Sequence, residues 1–190
     1  MASSSALASP RTLTLTCHPQ SRNSAVRDIQ AHIARGSDDM LAIRYVLEAD
    51  LDAIRIPEQR APRHADRLWQ HTCFELFIRA ACAPNYVELN FSPSGEWAIY
   101  TFDQYRVPAS LKTDRPAPRV AVRATRAALE LEAAIQLDTM ITPLNVNLAI
   151  AISAVIEDRE GALSYWALAH PAGQPDFHHA VSFALTLSHH

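Results

Sequence analysis

Glycine and lysine are both scarce in this chain, and each scarcity argues against a class of protein. Only four glycines occur among 190 residues, and none forms the glycine-rich loop that holds phosphate groups between a strand and a helix. Lysine occurs once, as Lys112, and the net charge is −3 with neutral histidines. Nucleic-acid binding needs a stripe of positive charge to meet the phosphate backbone, whereas the arginines here are scattered. We therefore expect no nucleic-acid partner.

Cysteine is also rare, and long apolar runs are missing. The three cysteines, Cys17, Cys73 and Cys82, form no CxxC spacing, and an odd number leaves at least one thiol unpaired within a monomer. Free thiols are typical of a reducing compartment. No run approaches the roughly 20 apolar residues of a membrane span. The segment before Arg11 does not have the features of a secretion signal. We expect a cytoplasmic protein without a membrane partner.

Alternation of apolar and polar residues, the pattern of half-buried strands, recurs along most of the chain. Strands are predicted over 11–17, 29–33, 40–49, 72–80, 86–92, 96–102, 120–125, 129–137, 145–157, 163–168 and 181–187. The 129–137 segment is rich in helix-forming residues, but its apolar side chains keep a period of two. Turn residues separate the segments, which predicts an all-β protein of about ten antiparallel strands, a sandwich or a barrel. We expect one domain over 11–187, after a disordered Ser/Ala-rich tail at 1–10.

Four polar side chains that strands rarely bury alone lie close together in the sequence: Glu75, Glu88, Asn90 and Arg106. Glu88 and Asn90 are two residues apart and therefore share one face of a strand. If this strand pairs with the preceding one, Glu75 becomes a cross-strand neighbour of Glu88, and Arg106 is placed to neutralise both. Such a polar floor would hydrogen-bond sugar hydroxyls. The alternative is a structural network, because a buried carboxylate needs a partner.

Aromatic residues surround this polar cluster. Trp97 follows a Ser-Pro-Ser-Gly turn and is expected at a rim, where it would stack on a ring-shaped ligand, with Trp166 as the second choice. Trp69 precedes a strand and is interpreted as structural. His71 lies in the same block and is a candidate ligand contact. His170 and His178 lie close to Trp166 and are candidate hydrogen-bond donors to a ligand.

The histidines also raise the question of a metal or a haem. Zinc needs three or four convergent ligands, and the adjacent His178 and His179 would point to opposite faces of a strand. Haem of the cytochrome type uses methionine with histidine, but Met40 and Met140 lie in or near apolar strand runs. We therefore expect neither a metal site nor a cofactor.

Two blocks of sequence resemble a known family. Residues 68–78 (LWQHTCFELFI) and 86–97 (YVELNFSPSGEW) are similar to the central strands of DOMON-like domains, which are related to family 9 carbohydrate-binding modules. Phe102, Tyr105 and Arg106 match a further F-x-x-Y-R signature, and residues 165–171 and 175–179 resemble the closing motifs of a bacterial stand-alone subgroup. The resemblance implies an antiparallel β-sandwich that binds carbohydrate or haem. His71 and Thr72 replace an acidic pair of the carbohydrate modules, so their calcium site is not implied.

The sequence as a whole predicts a non-catalytic binding module for a carbohydrate or a related polar small molecule. The predicted ligand-binding residues are His71, Glu75, Glu88, Asn90, Trp97, Arg106, Trp166 and His170. Two alternatives stay open: an enzyme acting on a sugar derivative through Glu75 and Glu88, and a protein–protein interaction module. A deep polar pocket with a perturbed carboxylate would favour the enzyme, and an exposed apolar sheet face would favour the interaction module.

Overall fold

Thirteen strands make up about half of residues 10–21, 25–36, 38–109 and 115–188, which the computed structural model describes. They are β1 (Arg11–Thr14), β2 (Thr16–Cys17), β3 (Val26–Arg35), β4 (Met40–Ala49), β5 (Cys73–Ala80), β6 (Tyr86–Phe91), β7 (Trp97–Gln104), β8 (Val107–Pro108), β9 (Arg119–Ala124), β10 (Ala128–Gln136), β11 (Leu148–Glu157), β12 (Leu163–Ala167) and β13 (Leu185–Leu187). Four short 3₁₀ helices lie between them, at Leu51–Ala53, Leu68–Gln70, Leu137–Thr139 and Ala180–Ser182. In this described part, no helix is long and apolar enough to cross a membrane. The predicted tail at 1–10 lies outside the described residues, except for Pro10.

The strands form two antiparallel sheets, as predicted for a β-sandwich. One sheet has five strands in the order β1-β3-β4-β10-β9. The other has eight strands in the order β2-β12-β11-β5-β6-β7-β8, with β13 also paired to β11. The segment 11–17, predicted as one strand, is two strands in different sheets, and the buried Leu15 lies where the chain passes from one sheet to the other.

The core lies between the sheets and follows the period-two pattern. Leu129, Leu131 and Ile135 of β10 are fully buried, whereas Glu130 and Glu132 lie on the outer face. A helix would have spread these apolar side chains around a cylinder, so the alternation outweighs the helix propensity of this segment. Phe74, Leu76 and Ile78 of β5, with Leu89 and Phe91 of β6, fill the facing side. Burying each such side chain contributes about 1.5–3 kcal/mol.

The strand predicted over 181–187 is wrong in its first half. Residues 180–182 form a 3₁₀ helix, and only Leu185–Leu187 pair with β11. The Nδ1 atom of His179 accepts a hydrogen bond from the backbone nitrogen of Val181 (3.2 Å), which stabilises the turn. In addition, β12 already pairs with residues 153–157 of β11, so little of that edge is left for another strand.

The outer face of the eight-stranded sheet carries a second apolar cluster. Phe77, Tyr86 and Val155 lie on this face and are covered by Phe177 from the C-terminal loop. His178 of the same loop packs edge-on against Phe77, with ring centroids 5.2 Å apart. Part of the same sheet face, together with this loop, lines a cavity.

Candidate ligand-binding site

The cavity on the outer face of the eight-stranded sheet has a volume of about 400 Å³. This volume is within the range of small-molecule sites, which is about 300–1,000 Å³. Its lining consists of Trp69, Glu75, Glu88, Tyr100, Phe102, Arg106, Val155, Leu163, Tyr165, Pro175, Phe177 and His178. Aromatic rings thus surround a small number of charged or titratable groups, which is the composition expected for a site that binds a polar ring.

The floor of the cavity is built from three central strands. Ser153 of β11, Glu75 of β5 and Asn90 of β6 lie directly opposite one another, because the registers of these strands pair Ser153 with Glu75 and Glu75 with Asn90. Glu88 is two residues from Asn90 and lies opposite Tyr100 of β7. The predicted antiparallel pairing of β5 with β6 is confirmed, and it makes Glu75 and Glu88 diagonal rather than direct neighbours.

Both glutamates are nearly inaccessible to solvent. Glu75 is 3% exposed and Glu88 is 5% exposed. Burial, followed by the nearby Glu88 carboxylate, raises the pKa of Glu75 well above its usual value. Burial also raises the pKa of Glu88 to about 7, although the Asn90 hydrogen bond (Nδ2 to Oε1, 2.8 Å) and the Arg106 charge act in the opposite direction. A raised pKa favours the protonated form of the Glu75 carboxyl group, and in that form the group can both donate and accept hydrogen bonds.

Arg106 lines the cavity but pairs with a residue that the sequence did not indicate. Its Nη2 atom donates to Oδ1 of Asp176 (2.8 Å), and neither glutamate accepts from it. Asp176 also accepts from the Tyr105 hydroxyl (2.6 Å) and from the backbone nitrogen of His178 (3.1 Å). Burial alone would raise the pKa of Asp176, but the hydrogen bonds from Tyr105 and Arg106 hold it below its usual value. The predicted neutralisation of both glutamates by Arg106 is thus replaced by a clamp that ties the turn after β7 to the C-terminal loop.

His178 completes the wall next to Glu88. Its Nδ1 atom lies 2.7 Å from the Tyr86 hydroxyl, and its Nε2 atom lies 3.6 Å from Oε2 of Glu88. Burial, followed by the Arg106 charge, lowers the pKa of His178 to about 4. The imidazole is therefore neutral at neutral pH and supplies no positive charge to the floor.

Three of the predicted site residues come together in this cavity: Glu75, Glu88 and Arg106. Asn90 is fully buried beside the floor and holds Glu88 through its hydrogen bond. Trp97 and Trp166 do not reach the cavity, so their predicted placement at its rim is wrong. Both pack on the core between the sheets.

Strand parity explains the position of the two tryptophans. Trp97 lies opposite Phe91, a core residue, and its ring meets His64 edge-on at 5.5 Å. Trp166 lies opposite Ala154, is 8% exposed, and donates from Nε1 to the Ser164 hydroxyl (3.1 Å). Successive side chains of a strand point to opposite faces, so both tryptophans lie on the face away from the glutamates.

His71 and His170 also lie outside the cavity lining. The Nδ1 atom of His71 is 2.7 Å from Oε2 of Glu157, whose other oxygen accepts from Arg55 (2.8 Å). His170 hydrogen-bonds through Nε2 to the carbonyl oxygen of Thr16 (2.8 Å). These contacts give both histidines a structural role at the ends of the sheet.

Comparison with known proteins was made for the whole chain. No protein-family model matches it, and no curated protein matches it. A solved structure of a "putative carbohydrate-binding protein" from Bacteroides uniformis ATCC 8492 is 14% identical and has a TM-score of 0.62, with 94% of this chain and 86% of that chain covered. A family 9 carbohydrate-binding module from Caldicellulosiruptor kristjanssonii in complex with glucose is 10% identical, with a TM-score of 0.57 and coverage of 89% and 76%. The same comparison finds a module of that family and organism in complex with cellotriose, at 9% identity, a TM-score of 0.54 and coverage of 89% and 75%.

The chain has the fold of family 9 carbohydrate-binding modules. At these identities the likeness concerns the fold alone. The relation to this module family, inferred from residues 68–97, is therefore supported at the level of architecture, whereas the DOMON-like assignment stays a prediction.

The aromatic residues that line the cavity are largely ones that sequence reasoning missed. Trp69, interpreted as structural, is 48% exposed and lines the cavity. Tyr100 and Phe102 lie on the same face of β7, opposite Glu88 and Tyr86. The position of Tyr100 could have been inferred from the sequence. The short turn at 92–96 sets the register of β6 with β7, and this register puts Tyr100 next to Glu88.

A larger groove of about 510 Å³ lies on the outer face of the five-stranded sheet. Its lining includes alanines together with His32, Arg44, Arg119 and Glu132, and the largest exposed hydrophobic side chains among the described residues lie elsewhere. Eight of its twelve lining residues are apolar, five of them alanines, so the interaction module stays an open alternative. In the same described residues, no group of three His, Cys, Asp or Glu side chains is arranged to hold a metal ion.

Replacing Asp176 by Ala is expected to release the clamp. The change removes the acceptor of the Tyr105, Arg106 and His178 hydrogen bonds, and because Tyr105 and Arg106 are about half exposed, the free energy of unfolding should fall by only about 1–2 kcal/mol. Amide hydrogen exchange should quicken at residues 105–108 and 176–179. Unchanged exchange in both segments would show that the clamp does not hold them together.

Proposed function

We propose that this protein is a non-catalytic binding module for carbohydrate and that the cavity over β5, β6 and β7 is its binding site. The observation that carries the proposal is the meeting of aromatic side chains and buried carboxyl groups on one sheet face. Neither feature alone selects a sugar, but a sugar ring needs both. Its C–H faces pack on aromatic rings, and its hydroxyls need hydrogen-bond partners.

The polar groups of the floor suit a ligand with hydroxyl groups. The pKa of Glu75 is raised, which favours the form that both donates and accepts, and among the described residues no side chain hydrogen-bonds to its carboxyl group. Glu88 offers Oε2, which has only the 3.6 Å approach of His178. Arg106 has further N–H groups beyond the one donated to Asp176. Hydroxyl groups, which are donors and acceptors at once, match this mixture.

The known structures with this fold support the proposal. Modules of family 9 are seen with glucose and with cellotriose, and the Bacteroides protein is described as carbohydrate-binding. We expect affinities in the micromolar to millimolar range, because a few stacking contacts and hydrogen bonds leave little surplus after the entropy cost of binding.

A second candidate function is catalysis on a sugar derivative, and one observation favours it. Glu88, with its pKa raised to about 7, has the property of a general acid. Glycoside hydrolysis, however, needs two carboxyl groups that flank the scissile bond. Glu75 and Glu88 lie on adjacent strands of one floor, so they meet the same side of a ligand. This arrangement favours binding over cleavage, and the absence of turnover of aryl glycosides would agree with it.

Replacing Trp69 by Ala tests the proposed site. Trp69 is 48% exposed, so its loss should change the free energy of unfolding by less than about 1 kcal/mol. Binding should weaken by about 1–2 kcal/mol, or roughly tenfold, because a stacking ring is lost. A carbohydrate array would first identify a ligand, and calorimetry would then compare wild type with the variant.

Val181 provides the matched control for Trp69. Its side chain is 51% exposed and belongs to the 3₁₀ helix at Ala180–Ser182, outside the cavity lining. Val181→Ala should therefore bind the sugar as wild type does. An array without any carbohydrate signal, or equal binding by Trp69→Ala and wild type, would contradict the proposed function or its site.

A further inference from the structure

Unpartnered polar groups collect at the floor of the cavity. The Ser153 hydroxyl and Oδ1 of Asn90 are buried without a hydrogen-bond partner. Both residues lie directly opposite Glu75, whose carboxyl group faces the cavity with no hydrogen bond from any described side chain. Buried polar groups in proteins are generally paired, so this row is unusual. Glu75 is its member that lines the cavity, and a ligand therefore meets the row through Glu75.

The charges around this row are unbalanced. Glu75 and Glu88 contribute two carboxyl groups, and the cations nearby are committed elsewhere. Arg106 is paired with Asp176 at 2.8 Å. Arg79, on the same strand as Glu75, lies over the ring of Phe183 with its guanidinium carbon 4.3 Å from the centroid.

The remaining titratable groups around the floor bring no positive charge either. His178 is neutral at neutral pH because burial lowers its pKa to about 4. The Tyr100 hydroxyl donates to Asp66 (3.2 Å), and the Tyr86 hydroxyl contacts His178. Cys73, two residues before Glu75 on the same face of β5, keeps its proton because burial raises its pKa well above the usual value. Among the described residues, neither glutamate therefore forms an ion pair with a cation, although the charge of Arg106 lowers the pKa of Glu88.

A pair of buried carboxyl groups in this situation takes up either protons or a cation. We propose that the ligand of this cavity carries a protonated amine that pairs with Glu75 and Glu88, which makes its class an amino sugar or an aminocyclitol; this inference rests on the proposed carbohydrate-binding function. An ammonium group brings three N–H donors and a positive charge. It thus supplies both the hydrogen-bond donors and the positive charge that the floor lacks, whereas the hydroxyl of a neutral sugar brings a donor but no charge.

The walls of the cavity fit the same ligand. Trp69, Tyr100, Tyr165 and Phe177 present aromatic rings around the floor, and aromatic faces attract cations as well as C–H groups. A carboxylate-bearing sugar, in contrast, would meet two acidic side chains. Charge and wall composition therefore both favour the amine.

The proposal has a consequence for protons. Without a ligand, burial raises the pKa of Glu75 well above its usual value and raises that of Glu88 to about 7. An amine held by the carboxylates lowers both pKa values, so its binding releases protons, and its affinity should fall about tenfold per pH unit below pH 7. A neutral sugar requires no such release.

The test compares three closely related probes by calorimetry at pH 7.5: glucose, 2-amino-2-deoxyglucose and N-acetylglucosamine. We expect the free amine to bind at least about tenfold more tightly than either neutral sugar, which corresponds to one additional charged contact. Repeating the titration at pH 6, where the free amine is itself protonated, in two buffers of different ionisation enthalpy should show proton release for the amine only. This second measurement uses the wild-type protein and does not depend on any variant.

Variants then locate the effect. Glu75→Gln and Glu88→Gln keep the side-chain shape and remove the charge, so the advantage of the amine over glucose should shrink to less than about threefold. Glu130→Gln is the control, because Glu130 is about 41% exposed on the other sheet, 3.8 Å from Arg44. It should leave the ratio as in wild type.

The outcomes separate the two proposals. If glucose binds and the amine has no advantage, or if the advantage survives both Gln variants, the amine inference is overturned and carbohydrate binding stands. If none of the three probes and no carbohydrate on an array binds, the proposed function fails, and the amine inference fails with it.

Discussion

Replacing Trp166 by Ala should lower the free energy of unfolding by about 3–5 kcal/mol, the cost typical of deleting a buried aromatic side chain. Trp166 is 8% exposed, packs in the core between the sheets, and donates to the Ser164 hydroxyl. Urea denaturation followed by circular dichroism measures the change. The affinity for a sugar should stay within about twofold of wild type at temperatures where the variant is folded.

Trp69→Ala provides the comparison, because Trp166→Ala should reduce stability but not binding, whereas Trp69→Ala should reduce binding but not stability. The exposed Trp69 lines the cavity, so its loss should reduce binding and leave stability nearly unchanged. If Trp166→Ala abolished binding while stability stayed as in wild type, the assignment of Trp166 to the core would be wrong.

Replacing Glu88 by Gln should stabilise the protein by up to about 3 kcal/mol at pH 8. The gap between the usual pKa of 4.5 and the value of about 7 in the folded protein corresponds to this energy. Because the pKa of Glu88 is raised in the folded protein, the contribution of Glu88 to stability is fully present below pH 4.5, its usual pKa. This contribution is lost as the pH rises through about 7, its pKa in the folded protein. The difference in the free energy of unfolding between variant and wild type should therefore grow between about pH 4.5 and pH 7 and stay constant at higher pH.

The comparison with the variant is needed because His178 acts in the opposite direction. Its pKa is lowered from 6.5 to about 4, so its contribution is present above pH 6.5 and is lost as the pH falls through 4. The two slopes partly cancel in wild type. Glu130→Gln, at an exposed ion pair, should change stability by less than about 1 kcal/mol at every pH. A Glu88→Gln variant no more stable than wild type at pH 8 would show that Glu88 is well compensated when ionised.

The strands were the most predictable part of this protein. Met40–Ala49 begins and ends at the predicted residues, and β10 is a strand although its composition favours a helix. Alternation is a direct record of which side chains meet the core, so one sequence is enough to recognise it. The 181–187 prediction failed because alternation does not show whether a strand edge is free, and β12 occupies most of the edge concerned.

The polar half of the site was predictable for the same reason. Glu75, Glu88 and Asn90 interrupt strands that are otherwise apolar, and side chains two residues apart share a face. The aromatic residues of the site, in contrast, were predicted wrongly. Trp97 and Trp166 differ from Tyr100 and Tyr165 only in strand parity, and parity decides which face a ring occupies.

By itself, the sequence determined that this chain is an all-β protein of antiparallel strands and that two glutamates and an asparagine lie on one face of its central strands. These properties depend on local periodicity, which each strand carries in its own residues. Only the tertiary structure decided which rings surround the glutamates and which carboxylate holds Arg106. Trp69 precedes β5, and Asp176 lies 70 residues from Arg106, so these contacts depend on how distant segments pack over the sheet. No periodicity along the chain records such packing.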